Sequence, residues 1–243
     1  MWHKITNNYS PNFSLPKRTR KKIKYIIIHY TGMKREASVI QRLCDEKTKV
    51  SAHYLIKKNG KIINFIPDLY EAWHAGKSSW KKIRSLNKNS IGIEIQNQGH
   101  EYGYKNFTSK QMISLKKLLK GLIKHYNINL ENILGHSDIS PERKKDPGEK
   151  FPWKNLATFK LAKWHNLDEK KLKQNRFKKL SQIEEEKFLK NLYLIGYNKV
   201  LKFNSNLNKR FLFKAFQRRY RQSLINGKSD QECLMISKNL LKS

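Results

Sequence analysis

The 243-residue sequence predicts an α/β fold, with a central mixed β-sheet flanked by helices and a small all-α bundle at the C-terminus. Three observations predict it. Short apolar, β-branched runs alternate with helical patterns as far as Trp153. Beyond Trp153 only helical patterns recur. A hydrophobic fraction of 38% is enough to fill a core, which excludes global disorder.

Residues 1–22 form a basic N-terminal arm: an irregular stretch to Pro16, then Lys17-Arg18-Thr19-Arg20-Lys21-Lys22, a solvated run, a dock for nucleic acid or a nuclear address inside a host. Tyr25-Ile26-Ile27-Ile28-His29-Tyr30 reads as a buried strand ended by Thr31-Gly32. Residues 36–47 are helical in composition. Tyr54–Lys57 and Lys61–Phe65 flank Lys58-Asn59-Gly60, a hairpin turn. Ser90 to Gln96 is another strand. Thr108 caps a helix running to Tyr126, whose stripe of Ile113, Leu115, Leu118, Leu119, Leu122 and Ile123 faces a core. Ile133-Leu134 is a short strand. Helical stretches follow near 156–166, 182–195, 208–222 and 230–241. These elements divide the chain into an α/β domain over 23–160, a linker over 161–180 and a three-helix domain over 181–243.

Fifty-two basic residues against 19 acidic ones give a formal net charge of +33. Such a field draws in polyanions. Nucleic acid, anionic wall polymers and acidic membrane surfaces fit equally well, as does a Lys-rich surface with no specific partner. The only cysteines, Cys44 and Cys233, are too few and too far apart for a disulfide framework or a Cys-rich metal knuckle. No apolar run is long enough to span a bilayer, and the first 16 residues lack the apolar core of a secretory signal. A cytoplasmic location is the expectation, with periplasmic placement or secretion by a route without a cleaved signal as the alternative. No obligate protein partner is evident.

The chemistry-bearing residues sit at the ends of strands. His29 closes the first, where ligands and catalytic groups collect, although a structural histidine also fits. Gly135-His136-Ser137-Asp138-Ile139-Ser140-Pro141-Glu142-Arg143-Lys144-Lys145-Asp146-Pro147-Gly148 carries a histidine off a strand and an aspartate just before a Pro-Gly turn. Two imidazoles and one carboxylate suit a catalytic zinc site that keeps its fourth position open; in the alternative, Asp138 or Asp146 only shapes the loop. In Ile91-Gly92-Ile93-Glu94-Ile95-Gln96, alternation places the isoleucines on one face and Glu94 on the other, toward a cleft or toward solvent. Lys144 and Asp146, two residues apart, point the same way in extended backbone. There Lys144 is either an oxyanion partner or a surface lysine.

Together these segments resemble the zinc amidase family that includes N-acetylmuramoyl-L-alanine amidases, phage lysozyme-type amidases and peptidoglycan recognition proteins. The resemblance runs through Ile27-Ile28-His29-Tyr30-Thr31, Val50-Ser51-Ala52-His53-Tyr54-Leu55-Ile56, Ala72-Trp73-His74-Ala75-Gly76, Ser90-Ile91-Gly92-Ile93-Glu94, Gly135-His136-Ser137-Asp138 and Arg143-Lys144-Lys145-Asp146-Pro147-Gly148. It implies zinc on His29, His136 and Asp146, a general base at Glu94 and an oxyanion-assisting cation at Lys144. It also implies that His53, Trp73 and His74 line or support the substrate groove. Asp146 stands where phage members carry Cys, as in Gram-negative recycling and envelope amidases.

In the C-terminal domain, Phe188–Tyr197 and Lys214–Tyr220 resemble the first and last helices of a peptidoglycan-binding module. The turn motif usual between them is missing from Asn204–Phe213. The expected function is hydrolysis of the amide between N-acetylmuramic acid and L-alanine, in peptidoglycan or in muropeptides. The competing expectation is a non-catalytic binder of anionic polymer, nucleic acid or wall, that uses the basic surface.

Overall fold

The computed structural model describes residues 5–198 and 205–242. The start of the N-terminal arm and Asn204 of the C-terminal turn segment lie outside the described residues. The strands are β1 (Ile5–Asn7), β2 (Phe13–Ser14), β3 (Tyr25–Tyr30), β4 (Tyr54–Ile56), β5 (Ile62–Asn64), β6 (Glu71–Ala72), β7 (Ser79–Trp80), β8 (Ile83–Arg84), β9 (Ser90–Ile95) and β10 (Ile133–Gly135). The helices are α1 (Glu36–Cys44), α2 (Ser109–Tyr126), α3 (His136–Ile139), α4 (Trp153–Thr158), α5 (Glu169–Asn175), α6 (Gln182–Ile195), α7 (Ser205–Tyr220) and α8 (Gln231–Lys242).

Six strands form one mixed sheet in the order β1-β5-β4-β9-β3-β10. The β4–β5 pair is the antiparallel hairpin that Asn59-Gly60 signals, while β4, β9, β3 and β10 run parallel. Parallel strands are buried on both faces, which is why β3 reads as an unbroken apolar run.

Alternate residues of each strand serve opposite faces. Ile26, Ile28, Ile91, Ile93, Ile95 and Ile56 pack beneath α2 with Leu115, Leu118, Leu119 and Leu122. That helix is fixed by the capping box of Thr108 and Gln111. On the other face, α1 covers Leu55 and Ile63 with Val39 and Leu43. The C-terminal helices cover Tyr25, Ile27 and Leu134 with Phe188, Leu192, Leu212 and Phe216.

Two regions differ from the sequence expectation. The arm over 1–22 is built into the fold: β1 extends the sheet in parallel with β5, and β2 pairs with β6. Its basic run is not simply solvated. Arg18 is buried, and its guanidinium donates to the backbone oxygens of Asn87 and Ser90, each at 2.8 Å, and to that of Asp68. Three carbonyls from distant segments replace its water.

The stretch 161–180 holds α5, with Leu172 buried among the bundle residues and Arg176 paired to Glu232 at 2.6 Å. Leu161 and Ala162 enter the first core, which ends α4 at Thr158 and turns the chain through Lys160 in the left-handed region. The bundle is joined to α3 by the Tyr197 hydroxyl, which donates to Asp138 at 2.9 Å. It also meets α4, where the Arg219 guanidinium lies 3.4 Å from the centre of the Trp153 ring. Among the described residues no helix is long and apolar enough to cross a membrane. Cys44 and Cys233 are both free.

Candidate active site

Three neighbouring parallel strands bring the candidate residues together at their carboxyl ends, the usual ligand position of such sheets. His29 on β3 is in register with Glu94 on β9, and His136 follows β10 directly. Asp146 returns on the loop after α3, where its backbone oxygen accepts from Ser137 N–H at 2.8 Å.

The three ligand atoms converge tightly. His29 Nδ1 lies 2.9 Å from His136 Nδ1, and each lies 3.1 Å from Asp146 Oδ2. All three residues are buried and offer one ligand atom apiece. A tetrahedral zinc site with bonds of about 2.0–2.1 Å places its ligand atoms roughly 3.3 Å apart, so the set is close to the spacing an ion requires.

The donor inventory points the same way. His136 Nε2 faces the carbonyl of Ala75 at 3.1 Å, which only accepts, so the ring proton sits on Nε2 and Nδ1 presents a lone pair. That lone pair faces the Asp146 carboxylate, another acceptor. A shared cation would satisfy both. Burial and the neighbouring His136 push the His29 pKa down to about 4, so its ring is neutral at neutral pH, the form that ligates a metal. Burial would raise the Asp146 carboxyl, but the imidazoles of His136 and His29 overcome this and hold it well below the usual range. The residues therefore fit a divalent metal.

Glu94 is half-buried, and its Oε2 is sealed from solvent without a hydrogen-bond partner among the described residues. Burial, reinforced by Asp146 and opposed by Lys144, pushes its pKa up to about 8. Of the two readings of strand alternation, the cleft is the one realised. Lys144 hangs on a turn, its N–H bonded to Ser140 at 3.0 Å, rather than on extended backbone. It lines the same cleft as Asp146, Glu94, His29 and His136, an opening of about 850 Å³. Basic side chains flank that opening, among them Lys34, Arg35, Arg42, Arg143 and Lys145.

The candidate substrate contacts divide. Trp73 is half-buried at the cleft, with its indole N–H donating to Ser14 at 2.8 Å. His53 does not face the cleft. It is fully buried, accepting from Gly92 N–H at Nδ1 (3.0 Å) and donating from Nε2 to Tyr70 O (3.0 Å). Burial and the nearby Arg18 lower its pKa to about 3. His74 is buried behind His29, its Nδ1 3.1 Å from His29 Nε2 and its Nε2 3.2 Å from Ser90 Oγ.

Sequence reasoning gave no role to Ser90, Arg18 or Asn87. The one signal for this layer was Gly92, since a glycine inside a strand marks a close approach. A Cβ there would lie 2.3 Å from His74 Cγ.

Comparison with known proteins places the geometry in context. The family model for N-acetylmuramoyl-L-alanine amidase matches residues 19–149. The chain is 34% identical over 233 residues to the N-acetylmuramoyl-L-alanine amidase AmiD of Escherichia coli (strain K12), covering 91% of this chain and 83% of that protein. It is 39% identical over 111 residues to the 1,6-anhydro-N-acetylmuramyl-L-alanine amidase AmpD of Haemophilus influenzae, covering 45% of this chain and 58% of that one.

Two solved structures are similar over nearly the whole chain. One is the complex of E. coli AmiD with the substrate anhydro-N-acetylmuramic acid-L-Ala-D-gamma-Glu-L-Lys (TM-score 0.79, 33% identity, 94% of this chain and 91% of that chain). The other is AmpDh3 from Pseudomonas aeruginosa in complex with anhydromuramic pentapeptide (TM-score 0.79, 28% identity, 94% of each chain).

Proposed function

Because this chain belongs to the N-acetylmuramoyl-L-alanine amidase family, we propose that it hydrolyses the amide joining N-acetylmuramic acid to L-alanine in peptidoglycan or its muropeptide fragments, using zinc held by His29, His136 and Asp146. The observation that carries the proposal is the convergence of these three acceptors within 3.1 Å of one another, beside an unpartnered carboxylate oxygen. The ligands named for the AmiD and AmpDh3 complexes, both anhydromuramyl peptides, support the substrate class, and the family description supports the bond.

An amide is a poor electrophile and water a poor nucleophile at neutral pH. Zinc held by His29, His136 and Asp146 would supply Lewis acidity for both the carbonyl and the attacking water. Glu94 takes a proton from that water and delivers it to the departing L-alanine nitrogen. A carboxyl poised near neutrality by burial is suited to both transfers. The Lys144 ammonium, close enough to pull on the titration of both His29 and Glu94, stabilises the negative charge that develops on the carbonyl oxygen. The bond broken is C–N, the bond made is C–O, and the products are a muramic acid carboxylate and a free peptide amine. Stem peptides carry free carboxylates, which the cations flanking the cleft attract. The wider basic surface holds the enzyme near anionic polymer.

Mass spectrometry of products from intact sacculi and from soluble anhydro-muropeptides, with and without chelator, tests this. The expected result is peptide with a new L-alanine amino terminus, and none in chelator. Release of peptide that chelator leaves untouched would overturn the metal assignment, and no release from either substrate would overturn the function.

A further inference from the structure

We propose that His74 and Ser90 form a buried relay that locks His29 in the single tautomer able to bind the metal; the proposal rests on the metal centre above. The chain of inference starts at a group with no freedom. The Ser90 hydroxyl lies 2.6 Å from the Leu86 carbonyl oxygen, which can only accept, so the hydroxyl proton is committed there. Ser90 Oγ is left with lone pairs alone, and His74 Nε2 at 3.2 Å must donate to it. A neutral His74 protonated on Nε2 presents its lone pair at Nδ1. His29 Nε2, 3.1 Å away, must therefore donate, which leaves the His29 lone pair on Nδ1. Nδ1 is the atom that meets His136 and Asp146.

The surroundings hold the relay in place. Gly92 lets the His74 ring lie against β9, where a Cβ would collide with it. His53 meets the same ring edge-on at 5.6 Å, itself anchored by Gly92 and Tyr70. The Asn87 Oδ1 accepts from the backbone N–H groups of His74 (3.2 Å) and Ala75 (2.7 Å) and fixes that pair of residues.

Two consecutive residues thus set both imidazole ligands: Ala75 acts on His136 through its carbonyl, and His74 acts on His29 through its ring. A ligating histidine whose other nitrogen is engaged binds metal more tightly, and removing such a partner lowers affinity by about 10- to 100-fold. His74 and Ser90 are positioning residues.

The test has two parts. Nitrogen-15 NMR of the unaltered zinc-free protein reads the His29 tautomer directly and is expected to show the proton on Nε2. Zinc affinity, measured by competition with a chromophoric chelator, is expected to fall about tenfold or more in Ser90→Ala and further in His74→Leu. His74→Asn, whose amide oxygen can accept from His29 Nε2, should recover part of what His74→Leu loses. If His74→Leu does not fold, Ser90→Ala and the NMR measurement decide. A His29 proton on Nδ1, or unchanged zinc affinity in Ser90→Ala, overturns the proposal. Failure of the underlying metal centre looks different: the unaltered protein takes up no zinc, and the relay falls with it.

Discussion

On β9, Ile91, Ile93 and Ile95 point beneath α2, while on the other face Ser90 and Gly92 meet the layer of histidines and Glu94 enters the cleft. The two faces share one backbone and one register, yet they solve opposite problems. The α2 face is aliphatic and is stabilised by area removed from water. On the opposite face polar groups are held by specific partners, as in the Arg18, His53 and His74 contacts. Among the groups left without such partners are those placed for chemistry: the facing acceptors of the triad and the orphan oxygen of Glu94. A substitution should therefore change chemistry from one face and stability from the other.

His29→Ala is expected to abolish both zinc uptake, read by elemental analysis, and peptide release. Two ligands that remain do not make a site of this type. Retained hydrolysis would remove the distinction between the faces altogether. Glu94→Gln sharpens it: metal content should stay at one ion per chain while turnover falls by about 10²- to 10⁴-fold, the range of a positioned general base. Loss of metal in that variant would assign Glu94 to the coordination set instead. From the other face, Ile93→Ala should cost about 2–5 kcal/mol in urea unfolding and leave zinc affinity and turnover per folded molecule unchanged.

Acid should find the polar face first. In zinc-free protein the folded pKa values of His29 (about 4) and His53 (about 3) lie below the unfolded value near 6.5, and His74 is held well below it too. As pH falls below 6.5 the unfolded chain takes up protons that the folded chain refuses, so stability is lost on acidification. Each histidine contributes about 1.4 kcal/mol per pH unit in this window. Glu94 acts in the opposite sense, since its folded pKa of about 8 means that the folded state holds the extra proton between about 4.5 and 8. Three histidines outweigh one carboxyl, and denaturant midpoints in chelator should drop from pH 6.5 to pH 5. A flat or rising profile would show that the histidine layer is hydrated.

The α2 face and the ligand set were both legible in the sequence, for different reasons. Thr108, the apolar stripe and the Asn59-Gly60 turn are local signals, and local structure follows them. His29, His136 and Asp146 emerged from motif resemblance, because spacing alone also allowed structural roles. What stayed hidden depends on partners far away in the chain. Strands of three and two residues, β1 and β2, are too short to show a period and exist because Ile62–Asn64 and Glu71–Ala72 lie beside them. Arg18 looks like its basic neighbours until the carbonyls of Asp68, Asn87 and Ser90 surround it. His53 and His74 were read as lining or supporting the groove because they lie in the right motifs; only the fold shows His53 fully buried and His74 behind His29 at the cleft. The helical stretches of α6 and α7 were equally visible, but not that Tyr25 and Ile27 of the sheet would be what they cover.

That last contact offers the smallest and most specific test. Asp138, in the single turn of α3, is fully enclosed and accepts from Gly135 N–H (2.8 Å), from the Tyr197 hydroxyl (2.9 Å) and from Arg219. Tyr197 is therefore a strut from the bundle to the helical turn that carries His136. Tyr197→Phe removes one neutral donor and leaves the aspartate two partners and the ring its packing against Trp80. The expected cost is about 1 kcal/mol of stability, the net worth of one such hydrogen bond. If the bundle only covers the sheet, that loss should be the whole effect. If it also holds the site, zinc affinity should fall with it, measurably though by less than in Ser90→Ala, because His136 keeps its bond to Ala75. Unfolding and chelator competition on the same variant separate the two roles.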